Sequence, residues 1–139
     1  MAIFQEPDPV RPDAVEAATT LFVCVTCRVE GDASEIRAGR RLHDALVGAL
    51  GADPAVRLVP VECLSACRRP CAVSLTAPGK WTYVYGDLAA EAAAPVLADA
   101  ARLYGATADG LIPWKLRADP IKKGAVARVP PLALPGQTP

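Results

Sequence analysis

The cysteines are the residues of this sequence whose type and spacing most clearly indicate chemistry. All five lie between residues 24 and 71 of a 139-residue chain, and four of them form two close pairs. Two residues separate Cys24 from Cys27, and three separate Cys63 from Cys67. Thiolates held together repel one another unless a cation neutralises them, and both zinc and iron–sulfur clusters do so. The spacing therefore predicts a metal centre, with zinc and an iron–sulfur cluster both open.

The segments around the two pairs predict that they meet at one edge of a sheet. The apolar run Leu21–Val25 predicts a buried strand, and residues 56–61 predict a second strand, in which Pro60 favours an edge position or a bulge near the end of the strand. Between them, Asp32 and Glu35 have the spacing of a capping box, followed by leucines at four-residue intervals: Leu42, Leu46 and Leu50. A right-handed β-α-β unit makes the two strands parallel, so that both cysteine pairs follow strands ending at the same rim.

The second half of the chain predicts a hairpin and a helix. Residues 71–76 and 80–85 flank a turn containing Pro and Gly, which indicates an antiparallel pair of strands. Asp87 is placed to cap a last helix that reaches Tyr104, in which Pro95 predicts a kink or a restart. The predicted fold is thus a single α/β domain of a β-α-β unit, a β-hairpin and a C-terminal helix.

The domain organisation follows from composition along the chain. Residues 1–20 predict an N-terminal arm, residues 21–105 the cysteine-bearing domain, and residues 106–139 a Pro-rich basic tail. The tail cations Lys122, Lys123 and Arg128 could dock an acidic partner or simply solvate the surface.

Charge and hydropathy exclude several classes of partner. The 15 basic and 15 acidic residues balance, which argues against general binding to nucleic acid. The start of the sequence does not resemble a secretory signal, and no apolar run approaches the 18 residues of a membrane span. We therefore expect a cytoplasmic protein, a compartment in which clustered cysteines are metal ligands or redox groups more often than structural disulfides.

Three residues of the same region have alternative interpretations. Cys24 alone could be a small buried hydrophobe, and Cys71 is equally well interpreted as core or as a spare ligand. His43 falls within the predicted first helix and is expected on its surface. A dithiol oxidoreductase built on Cys24 and Cys27 is disfavoured, because that motif ordinarily opens a helix and the predicted cap comes several residues later.

From Leu21 to Tyr104 the sequence resembles the thioredoxin-like [2Fe-2S] ferredoxins, including the small cluster-bearing subunit of respiratory NADH dehydrogenase. The shared features are a strand leading to two cysteines, a helix, a second strand that ends in Cys63 and Cys67, then a proline and a hairpin. Residues 21–28, 63–73 and 79–88 are also similar to a little-characterised bacterial family described only as predicted metal-binding proteins.

The resemblance implies a thioredoxin-like fold and an electron-transfer function with a redox partner protein. It implies a [2Fe-2S] cluster held by Cys24 and Cys27 on one iron and by Cys63 and Cys67 on the other. The alternative is a zinc protein, structural or delivering metal to an accepting protein, with a link to cobalamin metabolism; a homodimer is compatible with either. Two departures keep zinc open: the short gap after Cys24, and Arg69 where these ferredoxins usually have a small residue.

Overall fold

The computed structural model of the protein describes residues 19–132. Helices and strands follow one another along the chain as β1 (Thr19–Cys24), α1 (Ala38–Leu50), β2 (Val56–Val61), β3 (Val73–Thr76), β4 (Thr82–Tyr85), α2 (Ala94–Gly105), a 3-10 turn (Trp114–Leu116), α3 (Asp119–Lys123) and β5 (Ala125–Val129). Nearly all of the predicted N-terminal arm lies outside the described residues. Within them, no helix is long and apolar enough to cross a membrane.

The strands form one five-stranded sheet in the order β2-β1-β3-β4-β5. Strand β1 pairs in parallel with β2 and antiparallel with β3, and β4 pairs antiparallel with both β3 and β5. The β-α-β unit and the hairpin are therefore confirmed. Strand β2 lies at the edge of the sheet, as Pro60 indicates, because a proline cannot donate to a second neighbouring strand.

The main core lies between the sheet and the two long helices. Helix α1 buries Leu42, Leu46 and Leu50, which confirms the four-residue pattern. Helix α2 packs beside α1, and its Tyr104 meets the ring of Tyr83 edge-on at 6.4 Å between centroids. Both long helices also contact β1 and β2, the two strands that lead to the cysteines.

The predicted start of α1 at Asp32 is wrong, because the helix begins at Ala38. The Asp32 carboxylate accepts a hydrogen bond from the Ser34 amide at 3.1 Å, and Ser34 Oγ accepts one from the Ile36 amide at 3.1 Å. Each side chain thus closes a tight local turn, which competes with helix initiation. Arg41 then anchors the loop through a 2.8 Å ion pair with Asp32.

The last helix begins later than Asp87. Asp87 adopts a left-handed conformation with φ of 56° and pairs with Arg69 at 2.7 Å, so it does not cap a helix. Helix α2 starts at Ala94 with Pro95 in its first turn, where the missing amide hydrogen costs nothing. Pro95 therefore neither kinks nor restarts a helix, because no helix precedes Ala94 in residues 87–93.

The segment predicted as a Pro-rich basic tail contributes to the sheet. Strand β5 pairs with β4, with Ala127 opposite Val84, and the Gly86 amide donates to the Gly124 carbonyl at 2.7 Å. Every residue of β5 is exposed, so the strand carries no strong apolar pattern that sequence could reveal.

Candidate metal centre

The two cysteine pairs follow neighbouring strand ends. Cys24 is the last residue of β1 and lies opposite Val61, the last residue of β2. The Val25 amide donates to the Val61 carbonyl at 2.9 Å and continues the ladder beyond both strands. Cys63 follows two residues later in sequence. Parallel pairing therefore directs both cysteine loops to one rim, as the β-α-β pattern predicts.

Side-chain packing joins the two loops. Cys24, Cys27 and Ala72 form a small buried apolar cluster separate from the main core, and Leu64 and Ala66 pack against it. Leu64 and Ala66 lie between Cys63 and Cys67 in sequence. The loop that carries the second pair thus packs against the cluster that contains the first pair.

The two pairs differ in exposure. Cys24 and Cys27, here called the inner pair, are 2% and 6% exposed. Cys63 and Cys67, the outer pair, are both exposed. A group bridging the pairs would consequently be shielded from water on one side and reachable by another molecule on the other.

The inner pair has opposite pKa perturbations. Burial acts to raise the pKa of Cys24, but hydrogen bonds from Thr26 and Cys27 to its sulfur outweigh burial and leave the pKa lowered. The pKa of Cys27 is raised to about 12, first by burial and then by the hydrogen bond and charge of Cys24. Without a cation, Cys24 ionises first and Cys27 keeps its proton. A bound metal would favour removal of both protons.

The hydrogen bonds around Cys24 also respond to its ionisation. The Cys24 thiol lies 3.5 Å from the Glu62 carbonyl and 3.5 Å from Thr26 Oγ1, and the Thr26 hydroxyl donates to the same carbonyl. A Cys24 thiolate can no longer donate to Glu62. The Thr26 hydroxyl has a single proton, which it can give either to this carbonyl or to the Cys24 sulfur.

The outer pair interacts in a similar way. The pKa of Cys67 is raised by its hydrogen bond with Cys63, by the charge of Cys63 and, more weakly, by the charge of Cys24. The Ser65 amide donates to Cys63 Sγ at 3.2 Å, a contact that stabilises a thiolate there.

The four thiols are arranged as two pairs and not as one tetrahedral group. In the part of the chain that the structure describes, no three Cys, His, Asp or Glu side chains lie close enough together to hold a single metal ion. The described side chains therefore do not form a ready-made site for a single metal ion.

Gly39 is a site residue that the sequence reasoning missed. A Cβ at this position would lie 2.0 Å from the Cys24 carbonyl oxygen and 3.2 Å from Cys27 Cβ. The Gly39 amide also donates to the Cys27 carbonyl at 3.2 Å. The first turn of α1 can therefore pack against the inner pair only with glycine here. A glycine in the first turn of an otherwise strong helix was the available signal.

Cys71 lies apart from the four paired cysteines. It is 0% exposed and belongs to the main hydrophobic core. Its backbone exchanges hydrogen bonds with Leu88 at 3.1 and 3.3 Å, and burial raises its pKa to about 11. His43 contacts Asp44 on α1 and does not join the cysteines. The placement of Cys71 fits its core interpretation. The His43 side chain is 14% exposed, so it is partly buried and does not lie freely on the helix surface as expected.

Dithiol exchange is a poor match to this geometry. Attack on a disulfide requires an accessible thiolate, and Cys24, whose pKa is the lowered one, is 2% exposed. Helix α1 starts at Ala38, eleven positions after Cys27, so Cys24 and Cys27 do not open a helix. The inner pair is better placed to hold a buried ligand than to exchange disulfides.

The fold is similar to solved structures from Aquifex aeolicus. A thioredoxin-like [2Fe-2S] ferredoxin from this organism superposes with a TM-score of 0.52 at 16% identity, covering 86% of this chain and 97% of the ferredoxin. A cysteine-to-serine variant of the thioredoxin-like [2Fe-2S] ferredoxin from the same organism gives 0.51 at 15% identity, covering 78% and 98%. These matches show that the present chain has a thioredoxin-like fold.

No curated protein matches the sequence significantly. A family pattern does match, over residues 21–131, which include both cysteine pairs and all described strands except the first two residues of β1. The chain belongs to the family described as "Protein of unknown function (DUF1636)".

Proposed function

We propose that the protein holds a [2Fe-2S] cluster on Cys24, Cys27, Cys63 and Cys67 and carries single electrons to or from a redox partner protein in the cytoplasm. The observation that carries this proposal is the convergence of an inner and an outer thiol pair through the contact of Leu64 and Ala66 with the inner pair. The thioredoxin-like fold, shared with [2Fe-2S] ferredoxins, supports it.

The residues present fit such a group in number, chemistry and pairing. Four thiolates are the usual protein ligands of a [2Fe-2S] cluster, and the paired arrangement supplies two for each iron. When bound, the cluster would supply a site that accepts and releases one electron. The burial of Cys24 and Cys27 would exclude water from one side. The exposed outer pair would leave a short path to a docked partner.

Hydrogen bonds to the thiolates give the chain a means of tuning that site. The Ser65 amide donates to Cys63, and the Thr26 hydroxyl lies within 3.5 Å of Cys24. Donors to sulfur stabilise the more negative, reduced state and therefore raise the reduction potential. The outer pair receives the Ser65 contact, and the Thr26 hydroxyl can donate to Cys24 when it is not donating to the Glu62 carbonyl.

The proposal is tested by metal and sulfide analysis of protein purified without oxygen. We expect about two iron and two acid-labile sulfide per chain, with visible absorption. Cys63→Ser should lower the iron content strongly, whereas Cys71→Ser, in the main core, should leave it unchanged. A colourless protein with one zinc per chain would establish the zinc alternative. Rapid disulfide reduction by metal-free protein would favour the dithiol oxidoreductase.

A further inference from the structure

Two large apolar side chains are exposed on the turn that precedes α3. Trp114 is 61% exposed and Leu116 is 54% exposed. Exposed tryptophan is uncommon on a free surface and is enriched at the energetic centres of protein interfaces. Together with Lys115, Arg117 and Lys122, these residues form what we call the Trp114 patch.

The patch carries concentrated positive charge. Arg117 lies 5.4 Å and Lys122 5.0 Å from the centre of the Trp114 ring, both within cation–π range. Across residues 19–132, the three cations of the patch form no ion pair with an acidic side chain. Asp119 is the sole acidic residue from position 110 to the end of the sequence.

A groove adjoins the patch. Its volume is about 270 Å³, and its walls are mainly apolar, with two charged residues among them, Arg117 and Asp99. Asp99 is paired with Arg102 at 3.8 Å, whereas Arg117 has no acidic partner among the described residues. The apolar walls include Val96, Leu103, Ile112, Leu116 and Ile121. The Arg117 side chain is held in position, since Nε donates to the Ile112 carbonyl at 2.8 Å and Nη2 to the Tyr83 hydroxyl at 3.2 Å. The groove thus offers a volume suited to an apolar side chain beside a positioned cation.

We propose that the Trp114 patch and its groove dock a protein partner through an acidic segment that inserts an apolar side chain. Charge complementarity selects the occupant, because the unpaired cations surround an apolar centre. A membrane fits less well, since α3 has only five residues and offers no extended amphipathic face. Nucleic acid fits less well because the chain as a whole is neutral.

This docking surface is independent of the proposed cluster. It contains none of the five cysteines, and its residues lie on a different segment of the chain. The metal-free protein should therefore bind the same partner segment, so failure of this proposal and failure of the proposed function are distinguishable.

The test uses full-length protein and an acetylated peptide with a central Phe-Leu pair flanked by three glutamates on each side. We expect saturable binding in the micromolar to low-millimolar range, with an NMR shift of the Trp114 indole and none of the Trp81 indole. Lys115→Glu combined with Lys122→Glu should weaken binding at least tenfold, as should Trp114→Ala. Arg57→Glu, an exposed cation on β2, is the matched control and should change nothing.

Four results would overturn the proposal. The first is no saturable binding up to 5 mM peptide, and the second is equal binding of a peptide in which lysines replace the glutamates. The third is preferential binding of anionic phosphatidylserine vesicles or duplex DNA at this patch. The fourth is a Trp114 signal that depends on protein concentration without peptide, which would assign the surface to a second copy of the chain.

Discussion

Gly39→Ala is expected to separate helix α1 from the inner cysteine pair. The new methyl group would lie 2.0 Å from the Cys24 carbonyl oxygen, whereas such contacts are not found below 3.0 Å. The helix start or the cysteine loop must therefore move by about 1 Å, because a close-packed interior has no free space for the added methyl group. That movement also lengthens the 3.2 Å hydrogen bond from the Gly39 amide to the Cys27 carbonyl.

The energetic cost can be estimated from these contacts. Overpacking costs about 1–3 kcal/mol, and loss of a hydrogen bond costs about 1 kcal/mol. Replacing glycine by alanine within a helix stabilises the helix by about 1 kcal/mol, because alanine has the higher helix propensity. We expect Gly39→Ala to lower the free energy of unfolding by about 1–3 kcal/mol after these terms are combined. Gly48→Ala is the matched control: no atom lies within 4 Å of its Cβ, so it should gain about 1 kcal/mol.

Urea unfolding of the reduced, metal-free variants measures both free energies, and iron content after anaerobic purification measures the effect on the site. Gly39→Ala should unfold at lower urea and retain less iron, while Gly48→Ala should unfold at higher urea with normal iron. Equal behaviour of the two variants would refute the inference that α1 packs directly on the inner pair.

Four further substitutions test the packing and electrostatics by equilibrium unfolding. Tyr85→Phe should leave the free energy of unfolding nearly unchanged or raise it, because the buried Tyr85 hydroxyl has no hydrogen-bond partner among the described residues. Tyr104→Phe loses a 2.5 Å hydrogen bond to the Trp81 carbonyl and should lower the free energy of unfolding by about 1–2 kcal/mol. A hydrogen bond from the Ala55 amide, followed by one from the Arg102 side chain, lowers the pKa of Asp53. The stabilisation that depends on the Asp53 charge is therefore present above about pH 4 and is lost as the pH falls through the lowered value. This pH dependence should be absent in Asp53→Asn, whose amide oxygen can still accept from the Ala55 amide. Cys71→Ala should lower stability by about 1 kcal/mol without altering iron content, and loss of iron would show that Cys71 is a ligand.

Much of the fold was predictable because its local signals agree with its tertiary contacts. Three local features indicate the same β-α-β unit that the structure shows. They are the apolar run that contains Cys24, the regularly spaced leucines of α1, and Pro60, which favours an edge strand. Parallel pairing then brings Cys24 and Cys63 to one rim without any further information.

The parts that were not predictable depend on tertiary contacts that leave a weak local pattern. The spacing of Asp32 and Glu35 matches a capping box, but a pairing with Arg41 holds Asp32 in a preceding loop. Asp87 likewise pairs with Arg69 in place of capping a helix. Strand β5 is exposed throughout and is held by its backbone pairing with β4, a contact that no periodicity reveals.

The division of the cysteines into an inner and an outer pair could not be derived from spacing alone. Spacing predicts that the two pairs approach each other. The burial of the inner pair, however, depends on Ala72, which directly precedes β3, and on Leu64 and Ala66, which lie between the two outer cysteines. The same holds for Cys71, whose position in the main core follows from its pairing with Leu88.

Electron paramagnetic resonance of anaerobically purified, dithionite-reduced protein tests the central claim most directly. The proposed cluster predicts one S = 1/2 signal at low temperature, with no signal in the oxidised protein, and loss of that signal in Cys67→Ser but not in Cys71→Ser. A protein that contains zinc, has no iron and gives no signal after reduction would contradict the assignment of a [2Fe-2S] cluster to these four cysteines.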